Sequence, residues 1–594
     1  MARGGTPGLL LGATVAALAH PREYPGRLAD HLHTSRAVLI AYFSMEIALD
    51  PDVPTYSGGL GVLAGDTLRA AADLGVPMVG VTLLHRKGYF FQRLDAAGGQ
   101  VEEAVAWSPD DWMEPLDGTC TVQVEGRGVV VRAWRRTLAG ASGGTVPVLL
   151  LDTDVPGNDA YDRRLTDQLY GGDDRYRLAQ EIVLGVGGVR MLRALGYEGV
   201  TRYHMNEGHA VLLALELMAE ALAHAPGRPD EAVARVRRRC MFTTHTPVPA
   251  AHDQFSLDLA TGVLGADGVR TLAALGCCDR VLNTTLVALH LSDYVNGVTR
   301  RHGEVSRSLY PGYPIGSITN GVHSATWTAP AFARLYDRHV PDWRRNSFSL
   351  RYATGIPLPE FLTAHDEAKR RLVDEVNGRT NAGFDRHVLT LGIARRATAY
   401  KRAGLVLRDP ARLRALAEGA GGLQLVFAGK AHPRDEGGKA VIRQVVRAGA
   451  GLAPAVKVAY LPNYDMRLAG ILTAGADVWV NTPQPPWEAS GTSGMKAAHN
   501  GVPSLSVLDG WWAEGCIDGV TGWGIGGRPG APDDDRDADE LLGVLGGRVL
   551  PLFKAERSEW AALMRSTVAL NASFFNAQRM LQEYVVQAYG NAGG

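Results

Sequence analysis

The 594-residue sequence is poor in cysteine, in net charge and in long apolar runs. Each shortage argues against a class of protein. The five cysteines, Cys120, Cys240, Cys277, Cys278 and Cys516, are odd in number and form no C-x-x-C pair. That argues against a disulfide framework and against a structural zinc site, and it favours a reducing, cytoplasmic setting with no metal. The formal net charge is −1, so no overall field draws the chain to nucleic acid or a membrane surface. A local basic cleft is still compatible with that balance. No segment past the N-terminus has the length and apolarity to span a bilayer. Residues 9–19, after Arg3, end in an A-x-A pattern at Ala17 and Ala19. They read either as a weak secretory signal or as a local apolar helix, and the single basic residue favours the helix.

What is present is a long chain of ordinary globular composition, 46% hydrophobic and 21% charged. Its length exceeds one core, so two large domains are expected. Glycine is abundant, at 71 residues, and gathers in motif-like loops. Apolar strand-like runs alternate with helical periodicity from Val38 to Val322 and again from Val388 onward. Such alternation implies two doubly wound α/β units. Residues 100–155 read as a β-rich insertion, and the hinge falls near 322–330. The charged run from Asp366 to Arg371 reads as a solvated helix face. Residues 558–589 read as a helical tail with an interruption between Asn571 and Asn576.

The chemistry-bearing residues lie where strands end. Tyr56-Ser57-Gly58-Gly59-Leu60-Gly61 forms a glycine turn at a helix start, where backbone N–H groups can meet an anion. Asn206-Glu207-Gly208-His209 and the His245 loop each close a strand, where open α/β sheets place ligands. Arg395, Arg396, Lys401 and Arg402 put four cations at one strand end, with forked donors from arginine and point charges from lysine. Glu488-Ala489-Ser490-Gly491-Thr492-Ser493-Gly494-Met495-Lys496 reads as a glycine-rich loop running into a short helix. Its lysine would lie just inside an anion site. The tryptophans beside it, Trp487, Trp511 and Trp512, are expected to pack the core.

Six motifs occur in order: SGGLG at 57–61, NEGH at 206–209, VNGV at 295–298, TNG at 319–321, RRATAYKR at 395–402 and EASGTSGMK at 488–496. Together they resemble the α-glucan phosphorylases, the family of glycogen, starch and maltodextrin phosphorylases, in a short prokaryotic-type form. The resemblance implies two Rossmann-like domains facing a cleft, the GT-B arrangement. Residues 1–325 would bind glucan and phosphate, and residues 326–565 would bind pyridoxal 5′-phosphate. The tail, residues 566–594, would cross back to the first domain.

The resemblance also implies roles. Lys496 would carry the cofactor as a Schiff base. Gly491, Thr492 and Arg395 match positions that hold the cofactor phosphate, and Arg396, Lys401 and the Gly59 N–H match positions that hold the substrate phosphate. Glu488, Ser490, His209 and Asn320 match sugar contacts. The implied reaction is reversible phosphorolysis of the terminal α-1,4 bond of a glucan or maltodextrin by inorganic phosphate, giving glucose 1-phosphate with retained configuration. A homo-oligomer is compatible with the family.

Two other readings compete. A nucleotide-sugar-dependent glycosyltransferase of the same fold is expected to have a second glutamate where this chain has Lys496, and a silent glucan-binding protein is expected to lose some of Lys496, Arg396, Lys401 and His209. Two positions depart from the family pattern. Asp465 stands where longer members place an arginine near the cofactor phosphate, which would give Arg467 a compensating role, and His499 replaces an apolar residue.

Overall fold

The computed structural model describes residues 38–248, 252–275, 280–526, 533–555 and 557–590. The apolar segment at 9–19 and the pair Cys277 and Cys278 lie outside them. From Leu39 onward the chain forms one compact unit built on two large sheets, each with its own apolar core.

The first sheet has nine strands. In chain order they are β1 (Leu39–Ser44), β2 (Met78–Leu83), β5 (Glu114–Val124), β6 (Arg127–Ala139), β7 (Thr145–Asp152), β8 (Val200–Asn206), β9 (Cys240–Thr243), β12 (Tyr294–Gly297) and β13 (Gly316–Ser317). Between them lie the hairpin β3 (Phe91–Leu94) and β4 (Gln100–Glu103) and the ribbon β10 (Gln254–Ser256) and β11 (Val281–Asn283). The spatial order is β13-β12-β9-β8-β1-β2-β7-β6-β5. The order turns at β1 and β8, which are parallel neighbours with Tyr42 opposite His204. The β-rich stretch near 100–155 continues this sheet, since β6 pairs antiparallel with both β5 and β7.

The second sheet is wholly parallel. Its strands are β14 (Thr390–Ala394), β15 (Leu423–Ala428), β16 (Val456–Leu461), β17 (Val478–Asn481), β18 (Ser504–Val507) and β19 (Gly522–Ile525), in the order β16-β15-β14-β17-β18-β19. Every residue of β15 is buried, because helices cover both faces of a parallel sheet, and its sequence is accordingly apolar except at Gln424, whose amide bonds Asp385 and Thr390. This order reverses between β14 and β17, the place where open α/β sheets form their crevice.

Three helices matter for the site. Helix α1 (Gly59–Leu74) follows β1, α2 (Met466–Gly475) precedes β17, and α3 (Ser493–Ala498) joins β17 to β18. The charged run at 366–371 is solvated except at Lys369, which is buried and bonded to Asp477 at the base of β17.

The tail breaks before Asn576, which caps helix α4 (Ala577–Tyr584) by accepting from the Arg579 N–H. It then packs on the ends of the first sheet. The Tyr584 hydroxyl bonds Thr243 and Asn296, and the Tyr589 hydroxyl bonds His204. Arg579 donates to the carbonyls of Thr319 and Asn320 at 2.8 and 3.0 Å. The contact is tightest at Gly321, where a Cβ would stand 2.2 Å from the Asn576 carbonyl carbon. Gly321→Ala is therefore expected to cost about 3 kcal/mol, read as a lower denaturation midpoint at unchanged slope. A shift below about 0.5 kcal/mol would show that the tail contact yields freely.

Candidate active site

The sequence-derived residues gather at the carboxyl ends of the strands flanking the two order reversals. β1 leads to Glu46 and the SGGLG loop, and β8 leads to His209. β14 leads to Arg395 and Arg396, and β17 leads to Glu488 and Lys496. A crevice at such a point brings loops from distant parts of the chain together.

The SGGLG loop is built around a buried carboxylate that sequence reasoning missed. Glu46 accepts the N–H groups of Ser57 and Gly58 at 2.6 and 3.1 Å, and its other oxygen accepts the Tyr170 hydroxyl at 2.9 Å. Gly61 has to be glycine, because a Cβ there would lie 2.7 Å from Glu46 Oε2. Gly59 has open space around it. It is the first residue of α1, which has no side-chain cap, so its N–H faces outward at a positive helix end. A Cβ on Gly58 would be 3.4 Å from Arg396 Nη2, which places that guanidinium against the same loop. Glu46, Tyr170, Tyr400 and Tyr89 are the electrostatic neighbours of Arg396.

His209 follows Glu207, which adopts φ +77° and accepts from the His245 N–H and the Thr246 hydroxyl. His209 Nε2 is 2.8 Å from Arg177 and 3.1 Å from Asp253. Burial opposes the charge on Asp253, but His209 and Arg177 outweigh it and hold the carboxyl well below its usual range. Beneath them Glu181 is fully buried, and burial followed by the nearby Asp253 charge pushes its carboxyl well above the ordinary range. Among the described residues His209 Nδ1 has no protein partner, and neither have Asn320 Oδ1 and Ser490 Oγ, all three buried. Buried polar atoms without partners are costly unless a ligand or water meets them.

On the other side, Lys401 Nζ is 2.6 Å from both oxygens of Glu488. Arg395 lies 3.8 Å from the same carboxylate and donates to the Lys401 carbonyl. Burial raises the Glu488 carboxyl, but Lys401 and Arg395 overcome it and hold it below its ordinary value. The Glu488 N–H donates to Asp509 at 2.9 Å, and Gly491, at φ +79°, turns the loop with Glu488 close beneath it. Arg395 Nε, also buried, has no partner among the described residues. Arg402, grouped with these cations by sequence, turns away to Thr482, Pro483 and Asp534. Thr492 caps nothing by its side chain and opens the turn into α3. The Thr299 hydroxyl donates to the Ala489 carbonyl at 2.8 Å, tying the VNGV strand to this loop. That strand end also fixes Asn320, whose N–H donates to Val298.

Lys496 is 6% exposed, on α3. Among the described residues its amine has no hydrogen-bond partner, and it lies 3.8 Å from the centre of the Trp327 ring. Burial lowers its pKa from the ordinary lysine range to about 8. Trp511 and Trp512 are buried as expected. Trp487 is not: it is 36% exposed and meets Tyr400 edge-on.

Comparison with known proteins gives this geometry a lineage. The family model described as carbohydrate phosphorylase matches residues 269–514. A glycogen phosphorylase of Mycobacterium tuberculosis is 39% identical over 93% of this chain and 71% of its own length. A maltodextrin phosphorylase of Thermococcus litoralis is 38% identical over 93% of this chain and 70% of its own. A glycogen phosphorylase of Aquifex aeolicus is 33% identical over 93% and 86%. The chain belongs to the carbohydrate phosphorylase family.

For a member of this family the two departures have structural reasons. Asp465 is the N-cap of α2 and accepts the Leu468 N–H at 2.8 Å. Arg467 pairs with Asp52 on the surface and does not substitute in the site. His499 is buried and neutral, since burial lowers its pKa to about 4, and it bridges the Met495 carbonyl to Ser324. Asp465→Ala is expected to cost about 1 kcal/mol of stability and to leave the visible spectrum of the purified chain unchanged. A changed spectrum would give Asp465 a part in ligand binding. Among the described residues no helix is long and apolar enough to cross a membrane, and no metal-binding cluster occurs.

Proposed function

We propose that the chain is a cytoplasmic α-1,4-glucan phosphorylase with pyridoxal 5′-phosphate on Lys496. Residues 1–325 and 326–565 would act as two Rossmann-like domains facing a cleft, with residues 566–594 crossing back. The observation that carries this reading is Lys496. Among the described residues it is a buried amine without a hydrogen-bond partner, drawn toward its neutral form, on the short helix that follows the turned glycine loop, and Arg395, at the end of the neighbouring strand β14, has a buried Nε without a partner among those residues. A neutral amine is what attachment to an aldehyde requires, and the residues present fit the group. Gly491, Thr492 and Arg395 would hold its phosphate. When bound, the cofactor supplies a phosphate that relays a proton beside the substrate phosphate.

The chain's own residues do the rest. Arg396 and the Gly59 N–H hold inorganic phosphate at the start of α1. Two phosphates side by side repel, so the cations at 395–401 are needed together. Lys401 is shared: it bonds Glu488 and turns toward phosphate as sugar hydroxyls take up the glutamate. The partnerless His209 Nδ1, Asn320 Oδ1 and Ser490 Oγ receive further hydroxyls of the terminal glucose. Substrate phosphate protonates the glycosidic oxygen and then bonds the anomeric carbon on the same face. Configuration is retained, and the products are glucose 1-phosphate and a chain one glucose shorter. Because the substrate phosphate is both the acid and the nucleophile, no carboxylate pair is needed in those roles.

The test is spectroscopic. The purified chain should show a cofactor absorption band that borohydride fixes onto Lys496. A colourless chain that needs a nucleotide sugar for activity would contradict the reading and support the transferase alternative.

A further inference from the structure

Three segments distant in sequence meet at Lys496. Trp327 presents its ring face to the ammonium at 3.8 Å. The Trp327 indole N–H donates to Asp66 Oδ2 at 2.8 Å. Asp66 is fully buried on α1, seven residues past the Gly59 N–H, and its second oxygen has no hydrogen-bond partner among the described residues. Arg69 stands 3.8 Å from that oxygen, one helical turn on. A buried carboxylate is expensive unless it is fully bonded. This one makes a single neutral hydrogen bond and one long ion pair. Asp66 lies about two turns along the helix whose first residue is Gly59, and Trp327 lies in the connection between the two sheets.

We infer that Asp66 is a positioning residue for Lys496 and acts through Trp327. Its carboxylate fixes the indole plane by the N–H bond and makes the ring a more electron-rich platform for the ammonium. Cation–π attraction is strongest on tryptophan and grows as the site is desolvated. The platform holds the amine against one wall while it is protonated and releases it as it becomes neutral, which is the form that attacks an aldehyde. The effect opposes burial. Burial drives the amine to lose its proton, and Asp66 is the charged group that favours keeping it. His499, three residues on at the C-cap of α3, is neutral and engaged with Ser324, so it does not compete for this role. The inference rests on the proposed role of Lys496 as the cofactor-bearing amine.

The experiment reads the amine directly and does not depend on activity. The cofactor-free chain is exposed to trace acetic anhydride across a pH series, and acetylation of Lys496 is followed by peptide mass spectrometry. In the parent chain acetylation should rise through pH 8, the value to which burial brings the amine. In Asp66→Asn the midpoint should move to lower pH, with acetylation at pH 7 rising about threefold. Trp327→Phe, which keeps a ring and loses the N–H, should shift it in the same direction. An unchanged midpoint in folded Trp327→Phe would overturn the inference: with Asp66→Asn shifted, Asp66 would act by its charge alone, and with both unchanged the Asp66–Trp327 bond would be a packing contact only. If Asp66→Asn fails to fold, Trp327→Phe alone decides. Absence of a cofactor band in the parent chain would count against the Lys496 assignment, while the acetylation midpoints would still report the coupling.

Discussion

Lys496→Ala should lose phosphate-dependent release of glucose 1-phosphate by on the order of 10³-fold or more, and the cofactor band should vanish with it. The variant should fold normally. Lys496 makes no hydrogen bond among the described residues, and a methyl group replaces an amine whose charge burial already opposes. Loss of activity without loss of stability is the signature of a residue kept for chemistry. Inactivity with a collapsed melting temperature would instead assign Lys496 to the packing of α3. Arginine in its place should not rescue turnover, because a guanidinium stays charged and supplies no neutral amine.

The second large effect falls on the Lys401–Glu488 pair. Lys401→Ala leaves the Glu488 carboxylate buried with Arg395 at 3.8 Å as its nearest cation. Removing one member of a buried ion pair costs about 3 kcal/mol, and losing a cation aimed at a transferring phosphate costs about 10²-fold or more in turnover. The pH dependence of stability follows from the direction of the Glu488 shift. Its folded carboxyl lies below the ordinary value of 4.5. The stabilisation is therefore complete above that ordinary value and is lost as the pH falls through the lower, folded one. In Lys401→Ala this acid-limb loss should disappear. Glu488→Gln should also abolish it, and should raise the KM for maltodextrin more than the KM for phosphate. An unaltered acid limb in both variants would show that the pair does not form in solution.

The motifs carried much of this arrangement because each is local. SGGLG, RRATAYKR and EASGTSGMK pair a strand end with special backbone and charge within a few residues, and α/β alternation tells which strand ends share an edge. Glu46 was invisible for the opposite reason. It sits in an apolar-looking run, and its role exists only because Ser57, Gly58 and Tyr170 fold back on it. Asp66 likewise reads as one polar position on an amphipathic helix until Trp327 arrives from more than two hundred and fifty residues away. The run at 366–371 misled at Lys369, because helical periodicity turns one charge of a solvated face inward onto Asp477. Trp487 was expected to pack, like Trp511 and Trp512. Its exposure depends on where the loop before Glu488 emerges, which local sequence does not specify. The strand orders needed the structure too, since the turns at β1/β8 and β14/β17 arise from crossover paths rather than residue types.

Phosphate dependence tests the central claim most directly. The purified chain, loaded with cofactor and given maltodextrin, should release glucose 1-phosphate in proportion to added inorganic phosphate, none without it, and with no nucleotide sugar present. Free glucose formed without phosphate, or activity that appears only with a nucleotide sugar, would contradict the account.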